Sequence, residues 1–124
     1  MKKRILVVDD DPMNLMRTKI ILGKEDYDVL LAESGAEALD TLKGESVDMV
    51  LLDIDMPDMN GIETFERMKD FASEIPVIFL TASGLEDDVV SAIKLGAVNY
   101  LKKPYEPQEL LKRVAQEFGE TVEE

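Results

Sequence analysis

Residues 49–61 read MVLLDIDMPDMNG. Met49 to Leu52 form a short, continuously apolar run without alternation, the pattern of a parallel strand covered on both faces. The run ends on Asp53, and the acid repeats at Asp55. A carboxylate at the rim of an apolar interior is costly unless a charge pairs with it. Asp53 therefore asks for a cation. Asp58 and Asn60 then read as a turn and a helix cap, ahead of Ile62, Phe65 and Met68 at helical spacing with Glu63 in the first turn. The stretch is a strand, a tight loop and a helix.

Working outward, the same unit recurs. The other apolar runs are Ile5–Val8, Val29–Ala32, Val77–Leu80 and Ala97–Leu101. Asp11-Pro12 supplies an N-cap and a first-turn proline before Leu15, Ile20, Ile21 and Leu22. Ser34 with Glu37 forms a capping box before Ala38, Leu39 and Leu42, and Ser83 with Glu86 repeats it before Val89, Val90 and Ile93. Gly96 follows Leu95 where a helix-ending glycine belongs. Pro107 opens a last helix with Leu110, Leu111, Val114 and Phe118 on one face. The expected fold is α/β, a (βα)₅ doubly wound, five-stranded parallel sheet of flavodoxin-like order 2-1-3-4-5. A closed eightfold barrel needs about twice this length.

The chain has 124 residues, 45% hydrophobic and 33% charged, as in a single globular domain. Residues 1–120 are expected to form that domain, with 121–124 a frayed acidic tail at a helix C-terminus, where the dipole disfavours acids. No apolar run approaches the ~20 residues of a membrane span, and Ile5–Val8 is too short for a signal peptide. A cytoplasmic protein is expected. There is no cysteine and no histidine, which excludes disulfides, thiolate nucleophiles, Ser-His-Asp triads and zinc held by imidazole or sulfur. A formal charge of −13 argues against direct nucleic-acid binding by this chain.

In open α/β sheets, ligands bind beyond the carboxyl ends of the strands. There the sequence places Asp9 and Asp10, Asp53, Thr81, and Lys102 and Lys103, of which Lys102 reads as surface. Glu33 follows the second run, at a sheet edge away from the centre. Three acids against one ammonium leave room for a dication, and oxygen donors favour Mg²⁺, with Mn²⁺ possible. Asp10 and Asp53 are expected to ligate directly and Asp9 through water. A cation, a lysine and a hydroxyl around one carboxylate form an arrangement for phosphoryl transfer, with Asp53 as nucleophile. Taken singly, each of these residues has an ordinary explanation as a turn, cap or solvated side chain, and for Asp11 the cap is preferred. Their joint placement at neighbouring strand ends is what carries the signal. An EF-hand is excluded, because loop position 6 is Asp58 rather than glycine and position 12 is Thr64 rather than glutamate.

VVDDDP (7–12), LLDIDMPDMNG (51–61), FLTAS (79–83) and GAVNYLKKPY (96–105), in this order of strands and helices, resemble the receiver domain of two-component response regulators. The resemblance spans essentially the whole chain. It implies that Asp53 is the phospho-acceptor, that Asp9 and Asp10 organise Mg²⁺, and that Asp55 offers its backbone carbonyl to the metal. It implies that Thr81 bonds the phosphoryl group, that Lys103 pairs with it, that Lys103-Pro104 is cis, and that Tyr100 is a switch moving inward with Thr81. Asp55 and Ser83 would tune the phosphoryl lifetime. The implied donor is a phosphohistidine on a histidine kinase or histidine phosphotransfer protein, since this chain has no histidine. The implied output is a further domain or target protein, reached when the face of the fourth helix, fifth strand and fifth helix switches, with phosphorylation-dependent homodimerisation possible. The only catalysis implied is self-directed: its own phosphorylation and slow autodephosphorylation.

Three other readings compete. A haloacid-dehalogenase-type phosphatase also uses a strand-end D-x-D, a hydroxyl and a lysine, but the acidic pair preceding the nucleophile and the lack of a cap insertion oppose it. An FMN carrier of flavodoxin type would need a phosphate cradle where this chain has DDDP. A non-phosphorylated receiver-like interaction scaffold would not need the complete residue set.

Overall fold

The computed structural model describes residues 2–82, 93–94 and 96–119. In chain order these form β1 (Arg4–Val8), α1 (Pro12–Gly23), β2 (Asp28–Ala32), α2 (Gly35–Gly44), β3 (Met49–Asp53), α3 (Gly61–Ala72), β4 (Val77–Thr81), β5 (Asn99–Lys102) and α4 (Pro107–Glu117). All neighbouring strands pair in parallel, in the order β2-β1-β3-β4-β5. This is the order expected from the alternation of runs and caps. The helix expected from Ser83 and its capping box lie outside the described residues, apart from helical Ile93 and Lys94. The expected acidic tail, 121–124, lies outside them as well.

The strands bury alternate residues on opposite faces. Leu6, Val8, Val50, Leu52, Val77 and Phe79 pack with Ala38 and Leu42 of α2 and Phe65 and Met68 of α3. Ile5, Val7, Met49, Leu51, Ile78 and Leu80 pack with Leu15, Ile21 and Leu22 of α1 and Leu110 and Val114 of α4. Covering both faces explains why the central runs are uniformly apolar. Edge strand β2 is only half-buried over most of its length, since it has one neighbour. Across the first core, Phe65 and Phe79 meet edge to face at 5.3 Å, a favoured ring geometry.

The caps of α1, α2 and α3 fall where the sequence puts them. Asp11 accepts from Met13 N, Ser34 from Glu37 N and Asn60 from Glu63 N. Each satisfies one of the donors a helix start leaves open. Gly96 has φ +108° and donates its N–H to Ile93 O. Strand boundaries shift from expectation by one or two residues, β1 and β2 each starting one residue earlier, at Arg4 and Asp28. Asp53 and Thr81 are the last residues of β3 and β4 rather than the residues after them. Strand β5 begins at Asn99, not Ala97, and extends to Lys102: buried Ala97 and exposed Val98 precede the pairing.

Candidate functional site

Register decides which side chains meet. Val8 lies opposite Leu52, so the next residues, Asp9 and Asp53, leave the sheet side by side. Thr81 lies opposite Lys102, which carries Lys103 to the same rim. Main-chain bonds extend the ladders to this edge: Asp9 N donates to Ala32 O, Ile54 N to Leu80 O, and Lys103 N to Thr81 O at 2.7 Å. On the helix side, Gly61 N donates to Ile54 O. A Cβ at Gly61 would collide with the Asp53 carbonyl, so only glycine lets α3 start so close to the end of β3.

Asp9, Asp53 and Thr81 are buried, and Lys103 is mostly covered. The Lys103 ammonium lies 2.6 Å from Asp9 Oδ2 and 3.2 Å from Asp53 Oδ2. Burial opposes the charge of Lys103, but the hydrogen bond to Asp9 and the charges of Asp53 and Asp9 outweigh it and hold its pKa above the ordinary lysine value. Burial pushes the Asp53 carboxyl up to about 6; the Lys103 charge works against this and Asp9 reinforces it. The Asp55 N–H donates to Asp53 Oδ1 at 3.2 Å. One cation thus serves two buried acids.

Among the described residues, Asp9, Asp10 and Asp53 each place a carboxylate oxygen within 4.8 Å of the others'. Asp10 is exposed at the mouth while the other two are buried. The donor set is all oxygen and carries more negative charge than Lys103 returns, which fits a hard cation. Asp55 is exposed beside it, Lys102 is exposed, and Glu33 is exposed at the β2 edge. The Lys103–Pro104 bond is cis. Tyr100 is 37% exposed on β5, and its carbonyl accepts from Arg113 of α4 at 3.2 Å. Ser83 lies outside the described residues.

A further group of residues was not assigned from sequence. Asn14 donates to Asp9 Oδ2 at 2.5 Å. The Tyr105 hydroxyl lies 3.4 Å from Asn14 Nδ2 and 2.5 Å from Thr18 Oγ1. Arg17 donates to the Tyr105 carbonyl at 2.8 Å. The available signal was the four-residue spacing of Asn14 and Thr18, which puts both polar groups on the inward side of α1 beside Leu15.

The family model described as the response regulator receiver domain matches residues 5–115. The chain is 42% identical over 111 residues to the transcriptional regulatory protein CpxR of Escherichia coli K12, covering 90% of this chain and 47% of that protein. It is 40% identical over 114 residues to the DNA-binding response regulator MtrA of Mycolicibacterium smegmatis, covering 92% of this chain and 50% of that protein. The chain therefore spans about half the length of these curated relatives. A CheY-like receiver domain structure from Methanospirillum hungatei JF-1 superposes with TM-score 0.91 at 34% identity, covering 96% of this chain and 95% of that one. With the strand order, the acidic rim and the family match in agreement, the chain belongs to the receiver domains of two-component response regulators.

Proposed function

We propose that this receiver takes a phosphoryl group from a partner's phosphohistidine onto Asp53 and holds it as an aspartyl phosphate. The observation that supports this most is the Lys103 ammonium set between Asp9 and Asp53, with Asp10 completing a triad of acids. An Asp53 carboxylate oxygen attacks phosphorus, the P–N bond of the donor breaks, and the leaving imidazole takes up a proton. Asp9, Asp10, Asp53 and the Asp55 backbone carbonyl would hold Mg²⁺, or Mn²⁺ in its place. Such an ion supplies positive charge against the negative charge developing on the transferred oxygens. Lys103 pairs with one phosphoryl oxygen and the Thr81 hydroxyl donates to another. The Asp55 side chain faces the hydrolytic water, and the residue types at positions 55 and 83 tune how long the phosphoryl group survives.

The signal leaves through a shift of population. Thr81 follows the phosphoryl group, Tyr100 turns inward, and the face built on β5 and α4, with the helical segment preceding β5, takes its partner-binding form. The donor is a histidine kinase or a histidine phosphotransfer protein, as membership of the receiver family implies; none of these 124 residues is a histidine that could carry the group. The output is a further domain or a target protein; the relative MtrA is DNA-binding by name. A chain of net charge −13 is itself unsuited to a phosphate backbone. Among the described residues no helix is long and apolar enough to cross a membrane, and a cytoplasmic location fits a kinase-fed switch. The phosphatase alternative is not favoured, since the family match over residues 5–115 is to the receiver domain.

Intact-protein mass after incubation with acetyl phosphate or phosphoramidate tests the proposal. Mg²⁺-dependent gain of one phosphoryl group, absent from Asp53→Asn, is expected. Absence of both an adduct and released phosphate, with the fold intact, would leave an interaction scaffold in its place.

A further inference from the structure

Asp9 accepts more bonds than its role as a cation ligand requires. Oδ1 takes the Asp11 N–H at 2.9 Å. Oδ2 takes both Lys103 Nζ at 2.6 Å and Asn14 Nδ2 at 2.5 Å. These two donors differ in what else they serve. Lys103 is shared with Asp53, and in the proposed transfer it turns to the phosphoryl group. Among the described residues, Asn14 bonds no other acid. Its remaining side-chain contact is the Tyr105 hydroxyl, which is itself bonded to the buried Thr18 hydroxyl. Arg17 fixes the other side of Tyr105 by its bond to the carbonyl and by lying over the ring at 5.4 Å. The amide of Asn14 is thus held by a framework joining α1 to the segment before α4, independently of the reacting groups.

We propose that Asn14 is a positioning residue: its amide keeps the Asp9 carboxylate turned toward the cation site, and keeps it there once Lys103 has left. Tyr105, tied to Thr18, fixes the side chain of Asn14 in turn. This role rests on the acidic cluster being the cation site. Without the amide, Asp9 Oδ2 loses a donor that does not move with the reaction. Partners that orient a metal-binding carboxylate typically change metal affinity about 10-fold or more when removed.

The test is Mg²⁺ titration by calorimetry, with melting temperature in chelator recorded beside it. Asn14→Leu, close in shape but without a donor, is expected to bind Mg²⁺ about 10-fold more weakly. Asn14→Ala, which adds no apolar bulk and suits a helix, moves the same way and carries the test if the leucine variant does not fold. At limiting Mg²⁺ both variants take up phosphate from acetyl phosphate more slowly, and saturating Mg²⁺ restores the rate. Tyr105→Phe weakens Mg²⁺ binding to a lesser degree and adds nothing in the Asn14→Leu background, because it acts through Asn14. Unchanged Mg²⁺ affinity in both Asn14 variants, with or without a lowered melting temperature, overturns the role of Asn14 and leaves the cation site standing. Independent, additive losses overturn the part given to Tyr105. A wild-type protein that binds no Mg²⁺ overturns the cation site and the role of Asn14 together.

Discussion

The ammonium of Lys103 lies 2.6 Å from Oδ2 of Asp9, although 94 positions separate them in sequence. This bond joins the first strand of the fold to the last loop of the sheet, and the same ammonium neutralises Asp53. Removing one partner of a covered ion pair strands the other charge, which costs about 3–5 kcal/mol in full burial. Lys103 keeps 19% side-chain exposure, so solvent screening reduces the loss to about 2 kcal/mol. Lys103→Met, which retains the stem, should lose that much in urea unfolding without metal. Millimolar Mg²⁺ should restore a large part, since a dication can take over the pairing. Failure of Mg²⁺ to stabilise either protein would contradict the charge balance drawn for the site.

Asp53 gives a pH dependence of determined sign. Its pKa is about 6 in the fold against 3.8 ordinarily, so the folded state binds the proton more tightly than the unfolded state. Between those values, stability of the metal-free protein falls as pH rises, and above about 6 the ionised carboxylate is a standing cost. Asp53→Asn should therefore be more stable than wild type at neutral pH in chelator, by on the order of 1–3 kcal/mol. The advantage should shrink as pH falls through 6 and vanish below 3.8. Chemical denaturation at a series of pH values measures it; an advantage that grows toward acid would be the wrong sign.

Gly61 sits against the carbonyl of the proposed acceptor. A methyl group there meets the Asp53 carbonyl and the Ile54 backbone, neither of which can swing aside like a side chain. Gly61→Ala should cost about 1–3 kcal/mol as overpacking. It should also slow phosphorylation by acetyl phosphate at saturating Mg²⁺, because the end of β3 has to move. Gly23→Ala, whose Cβ meets nothing within 4 Å, is the control, expected to leave the phosphorylation rate unchanged. Equal rates in all three proteins would show that the close approach does not hold Asp53 in place.

Most of the sheet was legible in the sequence because parallel strands covered on both faces are written as uninterrupted apolar runs. Met49–Leu52 and Val77–Leu80 are the clearest, and both are buried throughout. The caps at Asp11, Ser34 and Asn60 were legible for a similar reason: each is a local bond between a side chain and a backbone N–H two or three residues on. The start of β5 was less legible because Ala97 and Val98 are apolar yet precede the pairing, and apolarity alone cannot separate a strand from its approach. In the Asn14–Tyr105–Thr18 network only the spacing of Asn14 and Thr18 was legible; the partner Tyr105 was not. The hydroxyl pair spans 87 positions, and nothing local in either segment specifies such a partner. Register brought Asp9 and Asp53 together, and strand ends alone had suggested it.

Tyr100 offers a readout of switching. It is partly exposed on β5, and its N–H is held by its neighbour Asn99 at 2.8 Å. Asn99 also accepts from Arg113 of α4 at 2.6 Å. Beryllofluoride with Mg²⁺, a mimic of the phosphoryl group, should shift the amide resonances of Asn99, Tyr100 and Arg113 together. Resonances unchanged on this face, with the mimic bound at Asp53, would place the output elsewhere.

Phosphate is expected to go to Asp53 and to no other acid. Reduction with borodeuteride after treatment with acetyl phosphate and Mg²⁺ converts a phosphorylated aspartate to homoserine, which peptide mass mapping then locates. The expected result is a single labelled position, Asp53, lost when Mg²⁺ is chelated. Label at Asp9, Asp10 or Asp55 instead would contradict the assignment of the acceptor.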